Sequence, residues 1–405
     1  MEIKLSWIRR IFLIGAITFF IADFSSAIIY TKKTEAMSIR QMGMGGAYTA
    51  VCNDEQILSQ NPAGLYHMPK QFEDEKSPAL IELPIINVMA GVPVRLVDRM
   101  DSIIDTVNYI RKGKVDMDGA FRIMSSIDRL PVGFLLSLPL DFKILTKRIG
   151  ISLDTSMDMD ILPVYGLPPS VNVESRNCAE FKVGIAIIEK TIGPGVLKAG
   201  AAVKAISIAS FEDYIDIGTA VDLGGSGNNI QQKLMEYVNE NALVGYGAGA
   251  NLGVLYTIFE DITVGVAAND APTYLFRKSF STNTVYKGDF LMPNIKIGVS
   301  YHLPFSLGFL LNNTVIACDL QNLFNRKEYS FPAKIHIGAS TDLISTRLFA
   351  INIAAGLNKG YGTVSTSLKL IRGLRIGVGY WQEEDGYYVN TRPDQKYVAE
   401  VALRF

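Results

Sequence analysis

The chain has 405 residues, 48% of them hydrophobic and 20% charged, with a formal net charge of −1 and a mean hydropathy of +0.20. The charged share is below the roughly 25% usual for soluble domains, and near-neutrality argues against nucleic acid as a partner, which needs a basic face. Beyond the N-terminal stretch no run of about 18 uncharged apolar residues occurs, so helical membrane spans are excluded; a very apolar soluble fold and a closed transmembrane barrel remain.

Lys4, Arg9 and Arg10 precede an apolar stretch, Ile11–Ala22, and Ser25-Ser26-Ala27 offers small residues at the −3 and −1 positions of a cleavage site. Residues 1–27 therefore read as a signal peptide, and the mature chain as exported. Cys52, Cys178 and Cys318 are too few and too widely spaced for a disulfide framework or a zinc site.

Residues 28–78 show no strand alternation and are long enough to fill a barrel lumen. They carry Arg40-Gln41-Met42-Gly43-Met44-Gly45-Gly46-Ala47-Tyr48-Thr49-Ala50-Val51 and then Gln60-Asn61-Pro62-Ala63-Gly64-Leu65. Gly43, Gly45 and Gly46 permit close backbone approach and positive φ, and Asn61-Pro62 is a turn signal. The expectation is an N-terminal plug or hatch, with a periplasmic capping segment as the alternative.

Residues 79–405 are expected to form the barrel. Period-two alternation marks about fourteen strands, near 80–94, 131–141, 146–160, 179–190, 196–211, 244–258, 261–269, 293–303, 313–320, 332–341, 347–357, 361–371, 373–383 and 395–405. In the last, Tyr397, Ala399, Val401, Leu403 and Phe405 share one face while Lys396, Glu400 and Arg404 take the other. A β-sandwich would also alternate, so the links decide. Those after even strands are short (Phe142–Leu145, Thr191–Gly195, Glu260, Asp342–Thr346, Arg372), with Pro304–Asn312 somewhat longer. Those after odd strands are long (Val97–Leu130, Ile161–Cys178, Glu212–Leu243, Asp270–Met292, Gln321–Phe331, Glu384–Asp394), with the turn before Tyr361 as the exception. Outer-membrane barrels have this asymmetry. The reading is all-β: a transmembrane antiparallel up-and-down β-barrel, with the terminal Phe405 as the signal read by the outer-membrane assembly machinery.

Within the barrel, Leu96, Met100, Ile103, Val107 and Ile110 have helical spacing. With a second helix at Phe121–Leu130 they make 97–130 a helical insert in the first external loop. Gln231–Asn239 reads as a short loop helix, and Gly224–Asn229 as a flexible loop without the Lys-Ser/Thr ending of a P-loop.

The motif over Arg40–Val51 with Asn61-Pro62-Ala63-Gly64-Leu65, the stretch Gly245–Tyr256, and the end from Gly356 through Arg392-Pro393-Asp394 to Phe405 resemble the FadL-type outer-membrane transport proteins. These are the FadL/TodX-like barrels, with PorV-like and TraF-like relatives. The resemblance implies a fourteen-stranded barrel whose hatch, at Asn61, Pro62 and Ala63, moves to pass a hydrophobic ligand.

No catalytic constellation is defensible. The histidines, His67, His302 and His336, fall on the hatch and on two lumen-facing strand positions, and no G-x-S-x-G or H-E-x-x-H motif occurs. Asp154, Asp158 and Asp160 lack EF-hand spacing. The sequence thus predicts a non-enzymatic channel in the outer membrane of a diderm bacterium, without metal or cofactor, for passive uptake of hydrophobic small molecules such as long-chain fatty acids. Its partners would be that ligand, outer-membrane lipids and the assembly machinery. The alternative is a structural component with a secretion- or conjugation-system protein as partner.

Overall fold

The computed structural model describes residues 37–72, 79–82, 88–93, 132–137, 141–164, 170–216, 240, 242–279, 281–282, 284–304, 306–307, 310–324, 330–346, 348–370, 373–384 and 393–404. The expected signal peptide (1–27), the helical insert expected over 97–130, the glycine-rich 224–229, the helix expected over 231–239 and Phe405 lie outside them.

The described chain begins with two short helices, α1 (Ile39–Gly43) and α2 (Ile57–Gln60), and a 3-10 helix, Pro62–Phe72. Strand segments follow: β1 (Ala79–Glu82), β2 (Val88–Pro93), β3 (Val132–Ser137), β4 (Phe142–Thr146), β5 (Ile149–Val164), β6 (Ser170–Ile192), β7 (Gly195–Asp216), β8 (Leu243–Ile258) and β9 (Ile262–Asn269). The second half holds β10 (Thr273–Ser279), β11 (Val285–Phe290), β12 (Asn294–His302), β13 (Leu310–Leu320), β14 (Ile335–Ser345), β15 (Phe349–Asn358), β16 (Tyr361–Leu370), β17 (Leu374–Glu384) and β18 (Pro393–Leu403).

These form one antiparallel barrel of 14 strands. The segments β1/β2, β3/β4, β9/β10 and β11/β12 are each two halves of one strand, since each pair shares its neighbours: β5 pairs with β3 and β4, and β8 with β9 and β10. Every strand pairs with the next in sequence, and β18 pairs with β2, Lys396 opposite Pro93 to Val401 opposite Val88, which closes the ring. Pairing the first strand with the last is the condition for crossing lipid with strands.

The link asymmetry is weaker than expected, with three links corrected. Ile161–Cys178 and Asp270–Met292 are largely strand rather than loop: β5 and β6 pair out to Val164 opposite Ser170, and β10 pairs with β11. The sequence there mixes apolar and polar residues without a sustained period of two (Ile161-Leu162-Pro163-Val164, Tyr274-Leu275-Phe276), and a strand beyond the bilayer has no lipid-facing side to enforce alternation. Phe142–Leu145, expected as a turn, is strand β4, and the turn is Lys147-Arg148.

Side chains sort by parity. Outward lie Leu252, Val254, Val264, Val266, Ile297, Val299, Ile337 and Val364, all well exposed. Exposed aromatics flank this band: Tyr246, Phe276, Tyr286 and Phe290 toward the long links, Phe259, Tyr301 and Phe349 toward the short ones. From Tyr246 to Tyr256 one strand rises about 33 Å, which at a tilt of about 40° spans ~25 Å, the height of an outer-membrane apolar band. Inward lie Lys143, Lys182, Lys204, Lys296, Asp154, Asp319, Glu400 and Lys396, all buried. A hydropathy window averages the two faces and so misses the membrane band.

Candidate functional site

The buried charges of the inner wall face residues 37–65, whose side chains are almost all buried. Helices of four or five residues are not stable alone; here the wall supplies what they lack. Ser38 Oγ caps α1 by accepting from Gln41 N (3.2 Å) and donates to Asp54 (2.9 Å). Arg40 Nε donates to Ser340 Oγ of β14 (2.8 Å) and Nη1 to Asn53 (2.9 Å). Asp319 of β13 accepts three bonds on one carboxylate oxygen, from Tyr48 N (2.8 Å), Thr49 N (2.8 Å) and Thr49 Oγ1 (2.7 Å). Asn251 of β8 donates to Leu58 O (2.9 Å), Asn269 of β9 to Ser59 O (2.8 Å), and Lys296 of β12 to Gln60 Oε1 (2.9 Å). The wall thus satisfies main-chain groups that a buried, irregular segment would otherwise leave unpaired.

The glycines allow the approach. Gly45 (φ +65°) and Gly46 (φ +82°) hold a left-handed backbone that places Gly45 against the Leu357 carbonyl. His336 Nδ1 donates to Gly45 O (2.8 Å) and Gln321 to Gly46 O (2.8 Å). Gly43 has ordinary φ and instead sits where a Cβ would meet Ser365 and Ala354. The wall reciprocates: a Cβ on Gly200 would lie 2.5 Å from Pro62 O, one on Gly253 would meet Asn61 Oδ1, and one on Gly338 would meet Met44 O.

Asn61, Pro62 and Ala63 lie together at this wall. Asn61 Nδ2 donates to Thr49 O (2.9 Å) and to Val254 O of β8 (3.3 Å), and its Oδ1 accepts from Ala63 N (3.2 Å). Cys52 is fully buried beside them, with its Sγ 3.4 Å from Asn61 O; burial, helped by Asp54, pushes its thiol well up and leaves it unreactive while the segment is seated.

Ion pairs run from wall to segment across successive strands. Arg404 binds Glu82 of β1 (2.7 Å), Glu400 of β18 (2.6 Å) and Glu55 of the segment (3.0 Å). Lys143 of β4 joins Glu82 (3.5 Å) to Asp154 of β5 (3.1 Å). Lys182 of β6 joins Asp154 (2.6 Å) to Glu180 (2.7 Å) and donates to Ser59 (3.0 Å), and Lys204 of β7 continues to Glu180 and Asp270. Such charges persist without water only because each is paired on more than one side. Burial raises the Glu55 carboxyl, but Arg404 and Arg375 outweigh it and hold it at about 2. Asp54 goes the other way, raised by burial and by neighbouring Glu55.

On the long-link side of this ladder the inner wall changes character. Ile206 and Ile208 of β7, Leu275 of β10 and Leu291 form a buried apolar cluster, with Cys178 of β6 against it and no residue of 37–72 within it. Opposite them, β8 presents only Gly245 and Gly247. Arg277, two residues beyond Leu275 on the same face, lays its stem over Gly245. On the short-link side lies a polar vestibule of about 500 Å³, lined among others by Arg40, Asp54, Glu55, His67, His302 and Arg404.

Gly43, Gly45, Gly46, Asn61, Pro62 and Ala63, singled out in the sequence for a plug and its hatch, all lie against the inner wall. Sequence reasoning missed Asp319, Glu55, Arg404 and the Lys143–Lys182–Lys204 ladder. Their signal was present as single charges on the inward parity of otherwise apolar strands, but which segment residue each meets is not a local property. The Asp154–Asp160 run resolves at Asp154, which is bound to two lysines; among the described residues no cluster fit for a metal occurs.

These features define a fourteen-stranded transmembrane-type barrel with its own N-terminal segment bonded to its inner wall. No protein-family model and no curated protein matches the chain. Among solved structures it is similar to the CymD monoaromatic hydrocarbon channel, at 12% identity over 91% of this chain and 97% of that one, with a TM-score of 0.46. It is also similar to the toluene transporter TodX of Pseudomonas putida (12%, 93% and 98%, 0.45). The toluene transporter TbuX of Ralstonia pickettii matches comparably (10%, 92% and 99%, 0.47).

Proposed function

We propose that this protein is a non-enzymatic outer-membrane channel of a diderm bacterium for passive uptake of hydrophobic small molecules, plugged and gated by its N-terminal segment. The observation that carries the reading is the apolar cluster Ile206, Ile208, Leu275 and Leu291 on the inner wall, outward of the seated segment. The other apolar residues of the inner wall, such as Leu145, Val315 and Trp381, pack against the N-terminal segment, whereas this cluster has no segment residue to cover it. Each methylene a ligand buries there contributes about 0.8 kcal/mol, so a molecule of modest size is retained without specific bonds. Release toward the vestibule requires the Asn61-Pro62-Ala63 turn to leave the wall, and only one hydrogen bond, to Val254 O, ties the Asn61 side chain to β8.

Arg277 extends the reading from hydrocarbon to fatty acid. No described residue pairs with its guanidinium, and a carboxylate on an acyl chain lying along Leu275 and Ile206 would reach it, gaining a charge-assisted bond. The test is equilibrium binding of a fluorescent long-chain fatty acid and of toluene to purified barrel, with uptake measured in cells lacking residues 37–65. Leu275→Gln should weaken both ligands, and Arg277→Gln the fatty acid alone. Absence of binding by either ligand, together with unchanged uptake after the deletion, would sink the proposal.

A further inference from the structure

The first and last strands of the barrel meet at two places. Toward the long links β18 pairs with β2; toward the short links, among the described residues, the seam is a backbone bridge between Glu82 and Arg404. The same two residues are joined through their side chains at 2.7 Å across 322 positions of sequence. Arg404 also holds Glu400 (2.6 Å), and its main-chain N donates to Gly373 O (2.8 Å). Glu55, the N-terminal segment's carboxylate at this point, pairs through Oε1 with Arg404 Nη2 (3.0 Å), and Arg375 of β17 lies 3.7 Å from the same oxygen. Glu55 is itself only 2% exposed in its side chain.

The seat of Glu55 therefore does not exist in an open barrel. Arg404 and Arg375 come from the last hairpin and Glu82 from the first strand; Glu82 fixes Arg404 at Nε, and Glu400 shares with Glu55 the Nη2 that this orientation presents. Conversely, a closed seam without Glu55 leaves two arginines facing the lumen with one fewer buried carboxylate between them, an arrangement that costs free energy where water is scarce. We propose that Arg404 is a seam lock: docking of Glu55 and pairing of the first and last strands at the short-link end form one cooperative unit, so the segment seats only on a closed barrel and in turn holds it closed. This coupling is independent of what the barrel carries.

Cys52 supplies a built-in reporter, because it is completely buried while the segment is seated. The experiment uses full-length barrel in a C178A/C318A background. Maleimide labelling of Cys52 reads seating, and the temperature at which the compact, unheated electrophoretic form is lost reads closure. Glu55→Gln changes a segment residue and Glu82→Gln a seam residue that also pairs with Lys143, and each should shift both readouts: Cys52 labelling faster by about tenfold, because a buried ion pair is broken, and a lower transition temperature. The double variant should fall short of the product of the singles, the mark of a shared unit. If Glu55→Gln speeds labelling without moving the transition, or Glu82→Gln lowers the transition with labelling at the wild-type rate, the lock is overturned. Should a glutamine variant fail to assemble, Arg404→Lys keeps the charge but cannot serve three carboxylates at once; joint movement of both readouts supports the coupling and movement of one alone refutes it.

Discussion

Replacing Asp319 by alanine should unseat the N-terminal segment while leaving the barrel intact. One oxygen of this carboxylate accepts from Tyr48 N, Thr49 N and Thr49 Oγ1, all within 2.8 Å, and the carboxylate lies fully buried where β13 meets the segment. Each charge-assisted bond contributes about 1.5–3 kcal/mol, and two buried main-chain donors would be stranded at about 1–3 kcal/mol each. Relief of the buried charge offsets part of this, so a net loss of about 3–5 kcal/mol is expected. That corresponds to roughly two to four powers of ten in the equilibrium for exposing the segment. Asp319→Asn keeps an oxygen on the same donors and should cost far less, about 1–2 kcal/mol. The assay is Cys52 labelling rate in the C178A/C318A background, alongside far-UV circular dichroism to show that the sheet persists. A wild-type labelling rate in Asp319→Ala, or equal damage from the asparagine variant, would refute the reasoning.

Gly253→Ala should displace the Asn61-Pro62 turn, because its Cβ would overlap Asn61 Oδ1 and approach Pro62 Cδ to 3.0 Å, whereas Gly362→Ala, with nothing within 4 Å, should be silent; protease sensitivity of the segment distinguishes them. The Glu55 carboxyl is depressed from 4.5 to about 2, so its contribution is complete above its unfolded value and lost as pH falls through the folded one. The gap in thermal transition between wild type and Glu55→Gln should hold at pH 6–7, narrow below about pH 4.5 and close near about pH 2; a gap that widens on acidification would contradict the assignment. Ligand titrations of Leu275→Gln and Arg277→Gln separate an apolar site from a carboxylate site, as outlined above.

Much of the barrel was legible because lipid and lumen impose opposite demands at every second residue. Ile297, Val299 and Tyr301 against Lys296, Gly298 and Ser300 display this directly, and all fourteen strand positions were recoverable. Legibility failed at Asn172–Arg176 and at Thr273–Ser279, where strands extend although nothing in the local sequence enforces two faces. It also failed at Phe142–Leu145, where a four-residue run next to a turn looked like the turn itself.

For the candidate site, the glycines and the Asn61-Pro62 turn stood out because their constraint is local: φ at Gly45 and Gly46 is positive, and proline fixes its own φ. What the sequence by itself determined is the alternating barrel, its link asymmetry and a non-strand segment ahead of it, since each follows from residue spacing and backbone chemistry. Only the tertiary structure decided that Asp319 holds Tyr48 and Thr49, that Leu275 gathers with Ile206, and that Glu55 meets Glu82 through Arg404. Those partners stand up to hundreds of positions apart, and a charge on the inward parity of a strand specifies its need for a partner but not which residue across the lumen supplies it.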